Sequence, residues 1–307
     1  MNYPINKDFT WLKYIHMTKN LSLLKWENRF VKFAYSLQSA GKNVYKKTID
    51  IPSRDGKKIT IDLFYPKKTE TSYKTLIYFP GGGFLMRASH FHKKNLCHLV
   101  RKTNVLGIMV HYRLAPEYPF PTFLYDAIDT IQYLFAHAKE LSIDSNHIGL
   151  GGDSAGGNIA MGLALYNRDY LHHPIQSVML VYPGLAKGIS NESRRNYVDT
   201  PMFNASMFPL IEKVVYHQGM SGLDYYAFPL EHPNLSSLGK IYVETAEYDC
   251  LRDDGLEVYK RLKEINASVT LNETLGTVHG YDVVNKSPIT KSSLQKRCDF
   301  ISESLSF

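Results

Sequence analysis

Short apolar runs without alternation recur along this chain: Leu76-Ile77-Tyr78-Phe79, Ile108-Met109-Val110, Val178-Met179-Leu180-Val181 and, less apolar, Ile241-Tyr242-Val243. A strand wet on one face alternates apolar and polar residues, whereas an unbroken run suits a strand covered on both faces, as in a parallel sheet. Helical spacing fills the intervals. Leu124, Ala127, Ile128, Ile131, Leu134 and Phe135 repeat at helical intervals, with Asp126, Asp129 and Gln132 assigned to the opposite face. Leu256, Tyr259 and Leu262 repeat the spacing in a helix that Asp253 and Asp254 open. Strand–helix alternation of this kind predicts an α/β fold, its mostly parallel central sheet flanked by helices through right-handed crossovers.

Three segments depart from that rhythm. Between Val44 and Tyr65, Ile49 and Ile51 lead to the turn Ser53-Arg54-Asp55-Gly56, and Ile59, Ile61, Leu63 and Tyr65 then alternate with Thr60, Asp62 and Phe64. That pattern predicts an antiparallel hairpin with half-exposed strands. The first forty residues carry Phe9, Leu12 and Ile15, then Leu21 and Leu24, then Phe30, Val31 and Phe33, which predicts one or two amphipathic helices. Residues 184–225 form an insertion with a helix around 207–217. No repeat or linker divides the chain, so the expectation is a single domain over 1–307. Its cap is formed by about 1–43 and about 184–225.

Composition excludes several classes. With 44% hydrophobic and 13% aromatic residues, the chain has ample core-forming side chains, which excludes disorder. No uncharged apolar run approaches the roughly 18 residues that span a bilayer. Asp8, Lys13 and Lys19 break up the first twenty residues and argue against a signal peptide. Cys97, Cys250 and Cys298 are too few, and odd in number, for a disulfide framework; free thiols point to a reducing cytoplasm. The formal charge is +7, but its Lys/Arg pairs are scattered rather than dense, so no nucleic-acid partner is expected.

Two glycine-rich turns carry the chemistry. Gly152-Asp153-Ser154-Ala155-Gly156 fits G-x-S-x-G, with a strand-like stretch at 148–151 before it and a helix from about Ala155 after it. A nucleophile at the tip of such a turn is strained and exposed, and the helix N-terminus offers N–H groups to a developing negative charge. Pro80-Gly81-Gly82-Gly83-Phe84 directly follows the run ending at Phe79. Its glycines free backbone N–H groups that can serve as oxyanion donors, and Phe84 is a candidate substrate contact.

With these residues the chain resembles the hormone-sensitive-lipase-like esterases of the α/β-hydrolase fold. That family combines H-G-G-G, Y-R-L-A-P-E-x-P-F-P, G-D-S-A-G-G, D-P-L-R-D-E-G and a late H-G-F. Here the order is Pro80-Gly81-Gly82-Gly83, Tyr112-Arg113-Leu114-Ala115-Pro116-Glu117-Tyr118-Pro119-Phe120-Pro121, 152–157, Asp249-Cys250-Leu251-Arg252-Asp253-Asp254-Gly255 and His279-Gly280-Tyr281. The matches run from about residue 75 to 281. The resemblance implies an α/β-hydrolase fold with a helical cap, Ser154 as nucleophile, Asp249 as acid and His279 as base. It also implies oxyanion donors at Gly82, Gly83 and Ala155. Position agrees for Asp249, which lies beyond a strand end; its rivals Asp253 and Asp254 are assigned to the first turn of a helix. His279 follows the strand-like stretch 269–275.

Pro80 stands where the family has a bracing histidine. Proline lacks that side chain but fixes φ, so stiffness is the expected brace. The 112–121 segment is read as scaffold away from the reacting atoms. His90, His92, Cys97 and His98 lack a second compact ligand pair, so no metal is expected. Cys250 is assigned to packing, and no phosphate-binding motif implies a cofactor. The expected activity is a cytoplasmic serine carboxylic-ester hydrolase acting on short to medium acyl esters, its partner a small-molecule ester. The apolar cap residues Trp11, Phe30, Phe33, Met202, Phe203, Met207 and Phe208 suit an apolar group. A deacetylase or amide hydrolase with the same triad, and a non-catalytic receptor on the same fold, are the alternatives. The family's homodimers make a dimer possible, but no residue pattern fixes an interface.

Overall fold

The computed structural model describes residues 3–188, 191–220 and 222–306. Residues 1, 2, 189, 190 and 221 of the expected cap segments lie outside the described residues. Eight strands form one sheet: β1 (Val44–Pro52), β2 (Lys58–Pro66), β3 (Tyr73–Phe79), β4 (Leu106–His111), β5 (Ile143–Asp153), β6 (Ile175–Val181), β7 (Lys240–Tyr248) and β8 (Val269–Val278). Their order is β1-β2-β4-β3-β5-β6-β7-β8. β2 is antiparallel to both neighbours, and every pairing from β4 through β8 is parallel. The helices are α1 (Leu21–Leu37), α2 (His90–Thr103), α3 (Thr122–Ala136), α4 (Ala155–Tyr166), the short α5 (Glu192–Asn196), α6 (Phe208–Val215), α7 (Asp224–Ala227), then α8 (Arg252–Glu264) and α9 (Pro288–Ser304). The unbroken runs are the buried strands expected: Ile77, Phe79, Ile108, Val110 and Leu180 are inaccessible to solvent.

Three expectations are corrected. The hairpin exists, but β2 is buried on both faces: Ile59, Ile61 and Leu63 join one apolar core and Phe64 another, all inaccessible to solvent. Its polar Asp62 is sequestered and accepts hydrogen bonds from Tyr35 (2.5 Å), Thr48 (2.5 Å) and His111 (3.0 Å). Asp126 is not on an outer face of α3; it is fully buried and held by the Arg113 guanidinium at 2.6 Å. Asp254 does more than open α8. Buried, it accepts the N–H groups of Leu185 and Ala186 and pairs with Arg194 of α5, so it anchors the insertion. Asp253 accepts the Ser193 N–H at 2.7 Å in the same role.

The N-terminal segment forms a 3-10 helix (Lys7–Tyr14) followed by α1, and α6 supplies the helix expected near 207–217. The two segments meet directly: Met17 N–H donates to the Met202 carbonyl at 2.9 Å, and Met202 N–H to that of Ile15 at 2.7 Å. Phe203 and Met207 are buried as expected of an apolar lining, whereas Trp11, Phe30 and Phe33 are exposed. Among the described residues no helix is long and apolar enough to cross a membrane.

Beneath one end of the sheet lies a buried charge network. Arg297 of α9 binds Glu244 of β7 through Nε (3.1 Å) and Asp282 through Nη1 (2.8 Å). Tyr281 donates to Glu244 and Tyr182 to Asp282, both at 2.7 Å. Burial opposes ionisation of Glu244, but the charge and hydrogen bonds of Arg297 and the tyrosine hydroxyls hold its carboxyl below the ordinary range. Arg297→Met would leave two buried carboxylates without their cation. The expected cost is about 3–5 kcal/mol, read as a lowered urea midpoint.

Candidate active site

Strand register places the chemistry. Phe79 at the end of β3 pairs with Gly152 of β5, and Tyr248 at the end of β7 pairs with Val278 at the end of β8. Pro80, Ser154, Asp249 and His279 each follow the last residue of their strand by one position. Parallel neighbours end on the same side, so all four loops gather at the carboxyl edge of the sheet, where open α/β folds place their sites.

The structure brings the three expected side chains into one line. Asp249 Oδ2 lies 2.7 Å from His279 Nδ1, and His279 Nε2 lies 2.9 Å from Ser154 Oγ. An ionised carboxylate only accepts, so Nδ1 carries the proton and Nε2 is left to accept the serine hydroxyl. Asp249 is fully buried, and its Oδ1 accepts the Leu251 N–H at 2.9 Å. The rings of Tyr182 and Phe203 flank the imidazole at 4.9 and 5.2 Å between centroids. Tyr281, two residues beyond His279, ties that loop to the buried Glu244.

Ser154 has φ 55° and ψ −121°, a conformation rarely populated by a non-glycine residue. The turn is possible because α4 passes directly over the end of β3. A side chain at Gly156 would overlap the Phe79 carbonyl. The second turn uses φ 130° at Gly82 and 60° at Gly83, both in the region that favours glycine. The N–H groups of Gly82, Gly83 and Ala155 make no hydrogen bond among the described residues, so they remain open to an incoming anion.

Pro80 is braced by hydrogen bonds as well as by its ring. The Tyr112 hydroxyl donates to the Pro80 carbonyl at 2.7 Å, Gly81 N–H donates to Asp153 Oδ1 at 3.1 Å, and Ala115 N–H donates to the Phe84 carbonyl at 3.0 Å. The 112–121 segment is therefore scaffold in a specific sense: it pins the glycine loop. Tyr112→Phe would leave the buried carbonyl of Pro80 unpaired. We expect kcat to fall about five- to tenfold with KM little changed, measured in steady-state assays.

Two residues of this brace escaped sequence reasoning. Asp153 also accepts from Tyr78 (2.8 Å) and His92 (3.1 Å). Ser89 N–H donates to His92 Nδ1, so His92 Nε2 carries the proton it gives to Asp153. Burial works against the Asp153 charge, yet His92 and the other donors hold its carboxyl below the ordinary range. The sequence marks His92 only as a candidate metal ligand. Among the described residues no group of three or more His, Cys, Asp or Glu is arranged to hold a metal. Cys250 is fully buried, and burial pushes its thiol well above the ordinary range.

Two cavities meet at Ser154. One, of about 520 Å³, is bordered by His279, Gly82, Met86 and Met202 together with Trp26 and Phe30 of α1. The other, of about 90 Å³, is bordered by Phe84, Asn158, Phe208 and Phe228. Phe84 stacks on Phe123 at 4.3 Å, which fixes it as a wall of the smaller cavity.

A family model for the alpha/beta hydrolase fold matches residues 76–283. The chain belongs to the hormone-sensitive-lipase-like family of that fold. It is 32% identical over 230 residues to an arylesterase of Saccharolobus solfataricus, covering 73% of this chain and 72% of the relative. It is 29% identical over 232 residues to carboxylesterase NlhH of Mycobacterium tuberculosis, covering 73% and 71%. A solved bacterial heroin esterase superposes with a TM-score of 0.89 at 27% identity, covering 99% of both chains.

Proposed function

We propose that this esterase-type α/β-hydrolase cleaves small-molecule carboxylic esters of a short acyl group and a larger alcohol, through an acyl-enzyme on Ser154. The observation that carries the reading is the Asp249–His279–Ser154 line, at 2.7 and 2.9 Å, bordering cavities that are also lined by Gly82, Gly83 and Ala155. His279 Nε2 takes the Ser154 proton as Oγ attacks the ester carbon. The carbonyl oxygen becomes an oxyanion held by the N–H groups of Gly82, Gly83 and Ala155, each such donor contributing about 3–4 kcal/mol. Asp249 keeps the proton on Nδ1 and stabilises the imidazolium. His279 then protonates the leaving oxygen, the C–O bond breaks and the alcohol departs. Water, deprotonated by the same nitrogen, cleaves the acyl-enzyme to the acid and restores the serine hydroxyl. Each step uses this chain's groups and water.

The two cavities support a division of the ester between them. His279 must reach the leaving oxygen, and it borders only the larger cavity of the two. The alcohol therefore occupies the larger space and the acyl chain the smaller one. The N-terminal segment and the 184–225 insertion act as the cap that walls both. In a p-nitrophenyl series, kcat/KM is expected to be highest for acetate to butyrate and to fall at least about tenfold by octanoate. A maximum at octanoate or longer would refute the acyl assignment.

A further inference from the structure

Among the described residues, one face of α1 has no partner in the fold. Leu24 and Tyr35 turn inward, and the Asn28 side chain clamps the loop beyond Gly83, donating to the Leu85 carbonyl and accepting the Arg87 N–H, each at 2.8 Å. On the opposite side, Leu23, Trp26, Phe30, Phe33 and Leu37 recur every three or four residues and form one stripe along the helix. All five are between 49% and 70% exposed. Scattered exposed apolar residues are ordinary, but a continuous stripe of large ones marks a contact surface. Its surroundings are cationic. Arg29 is exposed beside it with its guanidinium 4.7 Å over the Trp26 ring, Lys25 and Lys32 are exposed on the next face round the helix, and Glu27 is the single acidic residue of the helix. The stripe is continuous with the cavity that reaches Ser154 and His279, because Leu23, Trp26 and Phe30 line its mouth.

We propose that this face of α1 docks on an anionic phospholipid surface, which opens the larger cavity directly onto the lipid. Aromatic and aliphatic side chains flanked by Lys and Arg match the boundary between acyl chains and anionic headgroups. A second copy fits less well. Packing the stripe against itself would bring the Arg29 flank of one copy, with Lys25 and Lys32 behind it, against a like-charged copy in a chain already at +7. Passage of an apolar ester from lipid to Ser154 rests on the ester-hydrolase reading; docking itself does not.

The test is co-sedimentation of the full chain with vesicles of phosphatidylglycerol and phosphatidylcholine, and with phosphatidylcholine alone. The protein is expected to pellet with the anionic vesicles, several-fold more than with the neutral ones, and to be released by high salt. The double variant Phe33→Ala and Leu37→Ala should bind at least about fivefold less. It should hydrolyse a soluble short ester at the unmodified rate, since neither residue lines the cavity. Lys25→Gln with Arg29→Gln and Lys32→Gln tests the charges separately. Equal binding to both vesicle types, no binding to either, or a dimer that the Phe33/Leu37 variant dissociates would overturn the proposal. Binding is read without turnover, so a vesicle result and an activity result can fail independently. The salt series on the unmodified protein needs no substitution.

Discussion

Ser154→Ala is expected to lower the turnover of p-nitrophenyl acetate by about 10⁴- to 10⁶-fold while leaving the fold unchanged. The hydroxyl bonds to His279 at 2.9 Å and holds nothing else in place among the described residues, so its loss removes the nucleophile and little structure. Alanine keeps the β-carbon that already tolerates φ 55°, so the turn adds no new strain. The open N–H groups and both cavities persist, and substrate should still bind. The decisive pair of measurements is steady-state hydrolysis and labelling by a fluorophosphonate located by mass spectrometry. Turnover within tenfold of the unmodified enzyme, or a label on another residue, would remove Ser154 from the mechanism. A folded chain that is never labelled before substitution would favour a receptor over an enzyme.

The parts of this molecule legible in the sequence are those that local pattern encodes. Strands β3, β4 and β6 announce themselves because burial on both faces demands unbroken apolar runs. The grouping of Ser154, Asp249 and His279 is suggested by the order of their motifs and not by such runs, because the strands before them, β5, β7 and β8, carry glycine or polar residues. Long-range charge pairing leaves no local trace. Asp126 looked like an outward-facing residue of α3 and Asp254 like a helix opener. Their partners Arg113 and Arg194 are 13 and 60 residues away, and only the fold reveals that each carboxylate is buried. Asp62 hid the burial of β2 for the same reason. The Pro80 brace was illegible because it is shared: Tyr112 lies 32 residues from Pro80, and His92 lies 61 from Asp153. The cap misled in the opposite direction. Of the α1 aromatics expected in the cap lining, Phe30 borders the larger cavity but Phe33 does not; one helix can present apolar residues on two faces, and periodicity alone cannot say which face meets the protein.

Asp249→Asn should lower kcat on the order of 10⁴-fold, about 5 kcal/mol of transition-state stabilisation, with thermal stability nearly retained. The asparagine carbonyl can still accept the Leu251 N–H, leaving its amide to face His279. An amide N–H donates, so it favours the imidazole tautomer with the proton on Nε2. That nitrogen then has no lone pair for the Ser154 proton. Asp254→Asn is the matched control. It strips the carboxylate from Arg194, which is 2% exposed, and weakens the grip on Leu185 and Ala186. Its expected signature is a loss of about 3–5 kcal/mol of stability and a raised KM from a loosened insertion, with kcat little changed. Activity measured well below the melting temperature separates the two, because a tautomer defect persists in a folded enzyme and a packing defect does not. If Asp254→Asn instead lost kcat at unchanged stability while Asp249→Asn kept it, the acid role would belong to the helix-opening carboxylate, and the strand-end register that gathers Pro80, Ser154, Asp249 and His279 would no longer explain the site.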